Sequence, residues 1–159
     1  MAALFDNGAG FTPSGGSLDT IECGSACGTL RVDNQGIGTA HFSGLLMPAN
    51  FLAMGALTMG AGMRRSAKGL LYRNDLAAIC CDPVSMTAAY PNLALPLRAL
   101  PLAFVVNEAQ TELYQRVVQL AGAAGLIRKL FYNEAEARAW LDQTVQLLSD
   151  NERWWQARR

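Results

Sequence analysis

The chain predicts an α/β fold: a mixed five-stranded sheet that opens with an N-terminal β-hairpin, continues as βα units and carries about four helices. Three observations point there. One pattern occurs twice in the last third. Leu102-Ala-Phe-Val-Val106 is a short apolar run, followed by Asn107 and an amphipathic stretch from Glu108; Leu126-Ile-Arg-Lys-Leu-Phe-Tyr132 is a second, followed by Asn133 and an amphipathic stretch from Glu134. Strand, Asn cap and helix in that order, repeated, is the mark of βα units on a sheet. The second observation is a hairpin near the start, where Thr29–Asp33 and Ile37–Phe42 flank the turn residues Asn34-Gln35-Gly36. The third is composition. Only 16% of residues are charged against 51% hydrophobic, which favours a buried sheet over a solvated helix bundle.

Taken in order, residues 1–27 read as a partly irregular tail or arm, because Asn7-Gly-Ala-Gly10 and Pro13-Ser-Gly-Gly-Ser17 break any periodicity. Residues 28–150 then form one domain, and residues 151–159 a C-terminal extension that could prolong the last helix. After the hairpin, Met47 or Pro48 opens a helix, since proline is accepted in a first turn. It runs to about Arg65, with Arg64 and Arg65 at its negative end. Gly69–Arg73 is the next strand, Asn74-Asp75 bends the chain, and Leu76–Cys81 is strand or loop. Asp82-Pro83 has the form of a helix start, for a helix from Pro83 to about Tyr90. Leu93–Pro101 has no clear pattern. In the two final helices, Leu113, Val117, Leu120, Ala121 and Ala124 share one face, as do Ala137, Trp140, Leu141, Val145 and Leu148. Gly125 stands where a glycine stops a helix. The hairpin strands are antiparallel, and the βα units add strands in parallel.

Length fits a single domain that needs no disulfide staple. The 13 basic and 13 acidic residues balance, which argues against nucleic acid and against electrostatic attraction to a membrane surface. The uncharged stretch Phe42–Met63 holds Pro48, Asn50, Thr58 and several glycines, so it reads as a buried helix rather than a membrane span. Met1-Ala-Ala-Leu-Phe-Asp6 lacks the basic and apolar regions of a signal peptide, so a reducing, cytoplasmic setting with free thiols is expected.

The order of elements resembles the STAS domain, the sulfate transporter and anti-sigma-factor antagonist family, over roughly residues 28–148. The stretch Ile127-Arg-Lys-Leu-Phe-Tyr-Asn-Glu-Ala-Glu-Ala-Arg-Ala-Trp-Leu141 looks like the last strand and helix of bacterial STAS-like proteins. The resemblance implies a regulatory module that recognises a protein partner. The family's motif, Asp-Ser-Ser-Gly at a helix N-terminus, carries a serine that accepts phosphate. The matching stretch here is Cys81-Asp82-Pro83-Val84-Ser85. Asp82 matches the motif's Asp, Pro83 and Val84 replace both serines, and Ser85 stands for the glycine. The acceptor is absent in place, and Ser85 is a displaced candidate.

Asp75, Asp82 and Ser85 are therefore the candidate partner- or ligand-binding residues, Asp75 because α/β proteins bind ligands near strand ends. Their plainer roles are turn residue and helix cap. His41 is the only histidine and has no nucleophile-elbow motif beside it. Cys23 and Cys27 are separated by three residues and Cys80 and Cys81 are adjacent, a poor match to zinc spacing. Neither catalytic residues, metal nor cofactor is expected. The favoured reading is a non-enzymatic protein-interaction module, with a homo-oligomer possible. The alternative is a binder of a small molecule, lipid or nucleotide, in an apolar groove beside the Met-rich helix of residues 47–65.

Overall fold

A computed structural model describes residues 10–13, 18–82, 84–85 and 100–156. The strands are β1 (Gly10–Pro13), β2 (Leu18–Cys23), β3 (Ala26–Val32), β4 (Ile37–Leu46), β5 (Gly69–Arg73), β6 (Ala78–Ile79), β7 (Leu102–Val105) and β8 (Arg128–Phe131). Helix α1 (Pro48–Arg64) joins β4 to β5. Helix α2 (Thr111–Ala123), entered through a 3-10 turn at Glu108–Gln110, joins β7 to β8, and α3 (Glu134–Gln156) follows β8. The sheet runs β1-β2-β3-β4-β5-β7-β8, with β6 paired to the far end of β4. Strands β1 to β4 are antiparallel; β4, β5, β7 and β8 are parallel.

The α/β class and the mixed sheet are as the sequence predicts, but the counts differ. Among the described residues seven strands follow one path where five were predicted, with β6 beside them. Residues 18–27, predicted as part of a partly irregular tail or arm, pair as β2 and the start of β3. The segment Leu18-Asp-Thr-Ile-Glu-Cys23 does alternate, but one of its buried positions is Asp19. Its carboxylate is taken up by the Arg65 guanidinium at the end of α1. A buried charge breaks an apolar alternation unless its partner is known. Among the described residues there are three helices where about four were predicted. The predicted helix over 83–90 and the stretch 93–101 lie largely outside the described residues; Val84 and Ser85 are helical.

The sheet separates two cores. Leu70, Tyr72, Leu102 and Phe104 face α1 and α2, joined there by Ile21, Leu30, Ala40 and Phe42 from the antiparallel half. On the other face Ile37, Leu71, Ala103, Val105 and Phe131 pack against Ala137 and Leu141 of α3. Strands β5 and β7 are thus buried on both sides, which is why they read as continuous apolar runs. Helix α3 covers the parallel strands, while exposed His41 and half-buried Thr29 and Thr39 occupy that same face on β3 and β4. Of the predicted α2 face, Leu113, Val117 and Ala121 are buried and Ala124 is exposed. On α3, Trp140 and Val145 flank the core and Leu148 is exposed.

The ends of the helices follow from local chemistry. The Asn107 side chain accepts from the Gln110 N–H, and the Asn133 side chain from the Glu136 N–H at 2.9 Å. At the end of α2 the Leu126 N–H reaches the Ala121 carbonyl and the Gly125 N–H that of Gly122, with Gly125 at φ 73°. This is the glycine-stopped Schellman end. Helix α1 ends the same way, Ala67 N–H to Gly62 O and Ser66 N–H to Met63 O, but the left-handed residue is Ser66 at φ 57°.

Two outcomes follow for stability. Leu141 is fully buried under the parallel strands. Leu141→Ala should cost about 2–5 kcal/mol in urea unfolding, as truncation of a core leucine does. Ser66→Gly should stabilise the fold. Relief of the left-handed strain is about 1–2 kcal/mol, less about 0.5–1 kcal/mol for the greater freedom of glycine in the unfolded chain. A rise in the urea midpoint without a change in slope is the expected reading.

Candidate functional site

In open α/β sheets, ligands gather where parallel strands end, because loops and helix N-termini converge there. Here β5 delivers Arg73 and Asn74 to that edge, β7 delivers Asn107, and β8 delivers Tyr132 and Asn133, in the register Arg73–Val105–Phe131. The loop after β5 is held firmly. Gln110 Nε2 donates to the carbonyls of Asn74 (2.8 Å) and Ala77 (2.9 Å), and Asn107 Nδ2 donates to the carbonyl of Asp75 (3.1 Å). The Ala77 N–H closes the turn on the Asn74 carbonyl at 3.0 Å. Asp75, Val106, Asn107, Glu108 and Tyr132 border an open basin of about 570 Å³.

Charge beside the basin centres on Arg73. Its Nε and Nη2 reach the two Asp75 oxygens at 2.9 and 2.8 Å, and its Nη1 donates to Glu134 at the start of α3. This paired geometry holds the Asp75 carboxyl below the usual carboxylate range, chiefly through the hydrogen bonds from Arg73, and raises Arg73 further. Thr111 Oγ1 and the Tyr132 hydroxyl lie 3.2 Å apart. The basin can therefore accept hydrogen bonds at carboxylates and offer a phenol. Arg73 is committed to its two acids.

The sequence-predicted residues fall in two groups. Asp75 borders the basin. Asp82 and Ser85 come together elsewhere, past β6, where Asp82 caps the Ser85 N–H at 2.8 Å and also receives the Ser85 hydroxyl. Those two bonds, the hydroxyl first, lower the Asp82 carboxyl. No described contact links this pair to Asp75. A phosphate on Ser85 would displace the hydroxyl from a carboxylate and face its charge. Sequence reading missed Arg73, Gln110 and Tyr132. Arg73 and Tyr132 are signalled only by position at the ends of predicted strands, and Gln110 by capping-box spacing, three residues after Asn107.

The remaining candidates are dispersed. His41 is exposed on β4, in register with Thr29 and Arg73. Cys23 is buried and Cys80 exposed; burial pushes the Cys81 thiol up to about 11, and its sulfur lies 3.7 Å from the Leu46 carbonyl. Among the described residues no three His, Cys, Asp or Glu side chains gather to hold a metal ion, and no helix is long and apolar enough to cross a membrane. The groove expected beside α1 is a cavity of about 60 Å³ between α1, α2 and the sheet, with Met54 and Met59 in its wall. Met47 and Met63 are exposed.

No protein-family model matches the chain, and no match was found among curated proteins or among solved structures.

Asp75 gives the site a pH signature. A depressed carboxylate contributes stability that is complete above its unfolded value, about 3.9, and is lost as pH falls through the lower folded value. Asp75→Asn should therefore unfold at lower urea than the native chain at pH 7. The gap between the two should close as the pH is taken below about 4.

Proposed function

We propose that this chain is a non-catalytic, STAS-like regulatory module that binds a protein partner through the surface around Asp75, Leu76 and Tyr132. The observation that carries the reading is the state of Leu76. It is 71% exposed, yet it sits on the turn whose carbonyls at Asn74, Asp75 and Ala77 are all held by Asn107 and Gln110. A single exposed leucine on a mobile loop means little. A leucine presented to water by a rigid turn is different, because the ordering cost of binding has been met in the free protein. Tyr132, 58% exposed, is the second large side chain of this edge. An aromatic beside an aliphatic anchor, with Asp75 and Glu108 as acidic neighbours, is the composition of a small recognition patch. The acidic rim favours a partner segment that brings lysine or arginine.

The Asp82–Ser85 cap belongs to this reading as a helix start next along the chain. The missing motif serines leave the module constitutive in it, without a phosphate switch.

The test is comparative. Native protein and Leu76→Glu, both fixed as bait at equal folded concentration, are exposed to extract from the native host, and bound proteins are identified by mass spectrometry. The expected result is a protein retained by the native bait and lost with Leu76→Glu, while the far-ultraviolet spectrum and urea midpoint of the variant stay native. Identical retention by both baits would refute the assignment of the surface.

A further inference from the structure

The cavity beside α1 has a feature that packing alone does not require. Its wall is almost entirely apolar, and aromatic rings form much of it. Phe42, Tyr72 and Phe104 stand side by side on β4, β5 and β7, with ring centroids 5.1 and 6.0 Å apart. Tyr114 of α2 continues the set at 4.9 Å from Phe104, and Phe51 of α1 lies 5.8 Å from Tyr114. The Tyr72 hydroxyl is already spent on the Gly55 carbonyl at 3.0 Å. Arg128, the one charged residue among the described residues of the wall, donates to the carbonyls of Leu100 and Ile127.

Asn74 is the exception. It belongs to the wall, is only 3% exposed, and its Nδ2 has no hydrogen-bond partner among the described residues. An unmet buried amide donor costs the full desolvation of that group. Its backbone is fixed on both sides, N–H to Val105 O and carbonyl to Gln110, so the side chain is held at this spot. The last side-chain torsion of asparagine is soft, so the amide can turn to meet an acceptor bound beside it.

We infer that the cavity binds a small neutral molecule, apolar but for one hydrogen-bond acceptor, and that Asn74 supplies the donor. The space of about 60 Å³ exceeds the roughly 10–15 Å³ that one water needs. Water also wants two to four polar partners; besides Asn74, the polar side chains of the described wall are the Tyr114 hydroxyl, the Arg128 guanidinium and the Tyr72 hydroxyl already bonded to Gly55. A charged ligand would leave its charge against aromatic rings. A compact apolar body satisfies the rings and the two methionines, and a single acceptor satisfies Asn74. This site is distinct from the partner surface of Leu76 and does not depend on it.

The test uses two rings of the same shape. Tetrahydrofuran carries an ether acceptor, and cyclopentane has a methylene in its place. Nitrogen-15-labelled full-length protein is titrated with each, and the amide resonances, including the Asn74 side-chain NH₂, are followed. Both rings should perturb residues of the cavity wall, and tetrahydrofuran alone should move the Asn74 NH₂ signal downfield. In Asn74→Leu the affinity for tetrahydrofuran should fall about fivefold while that for cyclopentane holds or rises, the size of one hydrogen bond. The wild-type NH₂ signal decides the matter even if that variant does not fold. Absence of binding by both rings overturns the inference, as does an identical response of Asn74 to both. Binding of isobutyrate in preference to tetrahydrofuran also overturns it, since that would make the ligand an anion held by Arg128.

Discussion

One side chain carries much of the architecture at the carboxyl edge. Gln110 is buried, and its amide is fully used: two N–H bonds go to the carbonyls of Asn74 and Ala77, and its oxygen accepts from the Asn107 N–H. A loop can leave a sheet and turn inside protein only if its backbone polar groups find partners there. Gln110 is that partner, supplied by the 3-10 turn that starts the next βα unit. The consequence reaches both proposed sites. Asp75 and Leu76 are presented to solvent because the turn is fixed, and Asn74 stays in the cavity wall because its own carbonyl is fixed. Loss of Gln110 would free all three at once.

The opposite end of α1 obeys a constraint of space. Leu70 of β5 is fully buried, and a Cβ on Gly38 of β4 or Gly62 of α1 would come within 2.5 and 2.8 Å of its Cδ2. The leucine sits in a notch that two glycines leave open, one on the neighbouring strand and one on the helix above. On the next strand, a Cβ at Gly28 would meet both Phe42 and Met54 at 2.9 Å. Helix α1 therefore lies close on the sheet through small residues. Arg65 then meets Asp19 at one end, and Asn50 bonds the Leu45 carbonyl at 3.0 Å at the other. In this uncharged stretch Gly44, at φ 84°, and Gly62, against Leu70, serve turn and close approach, while a Cβ at Gly55 would meet nothing within 4 Å.

Legibility in the sequence tracked how local each cause is. Strand β5 was read to the residue, and α1, α2 and α3 begin within a few residues of their predicted starts, because apolar periodicity and Asn, Pro and Gly signals act within one turn. Strand β2 was missed because Asp19 is inward-facing, and its partner lies 46 residues on. Strand β6 has two residues, too few for any pattern. Asp75 was legible as a carboxylate at a strand end. The groups around it were not, since Arg73, Asn107 and Tyr132 meet only through the parallel register of three strands. The unpaired amide of Asn74 is invisible in a sequence, for it is defined by what surrounds it.

The neighbour order of the sheet is the order of the chain, β1 through β5 and then β7 and β8. No strand has to be threaded between two that are already paired. Along this path each strand is laid on the outer edge of the one before it, so these pairings close only the hairpin or crossover just completed, with β6, paired to β4, as the exception. Contacts of short sequence separation form with little loss of chain entropy, which favours fast folding for a sheet of this width. A chain emerging from its N-terminus can thus build this sheet in step with its own synthesis, the antiparallel strands first and α3 closing the second face at the end.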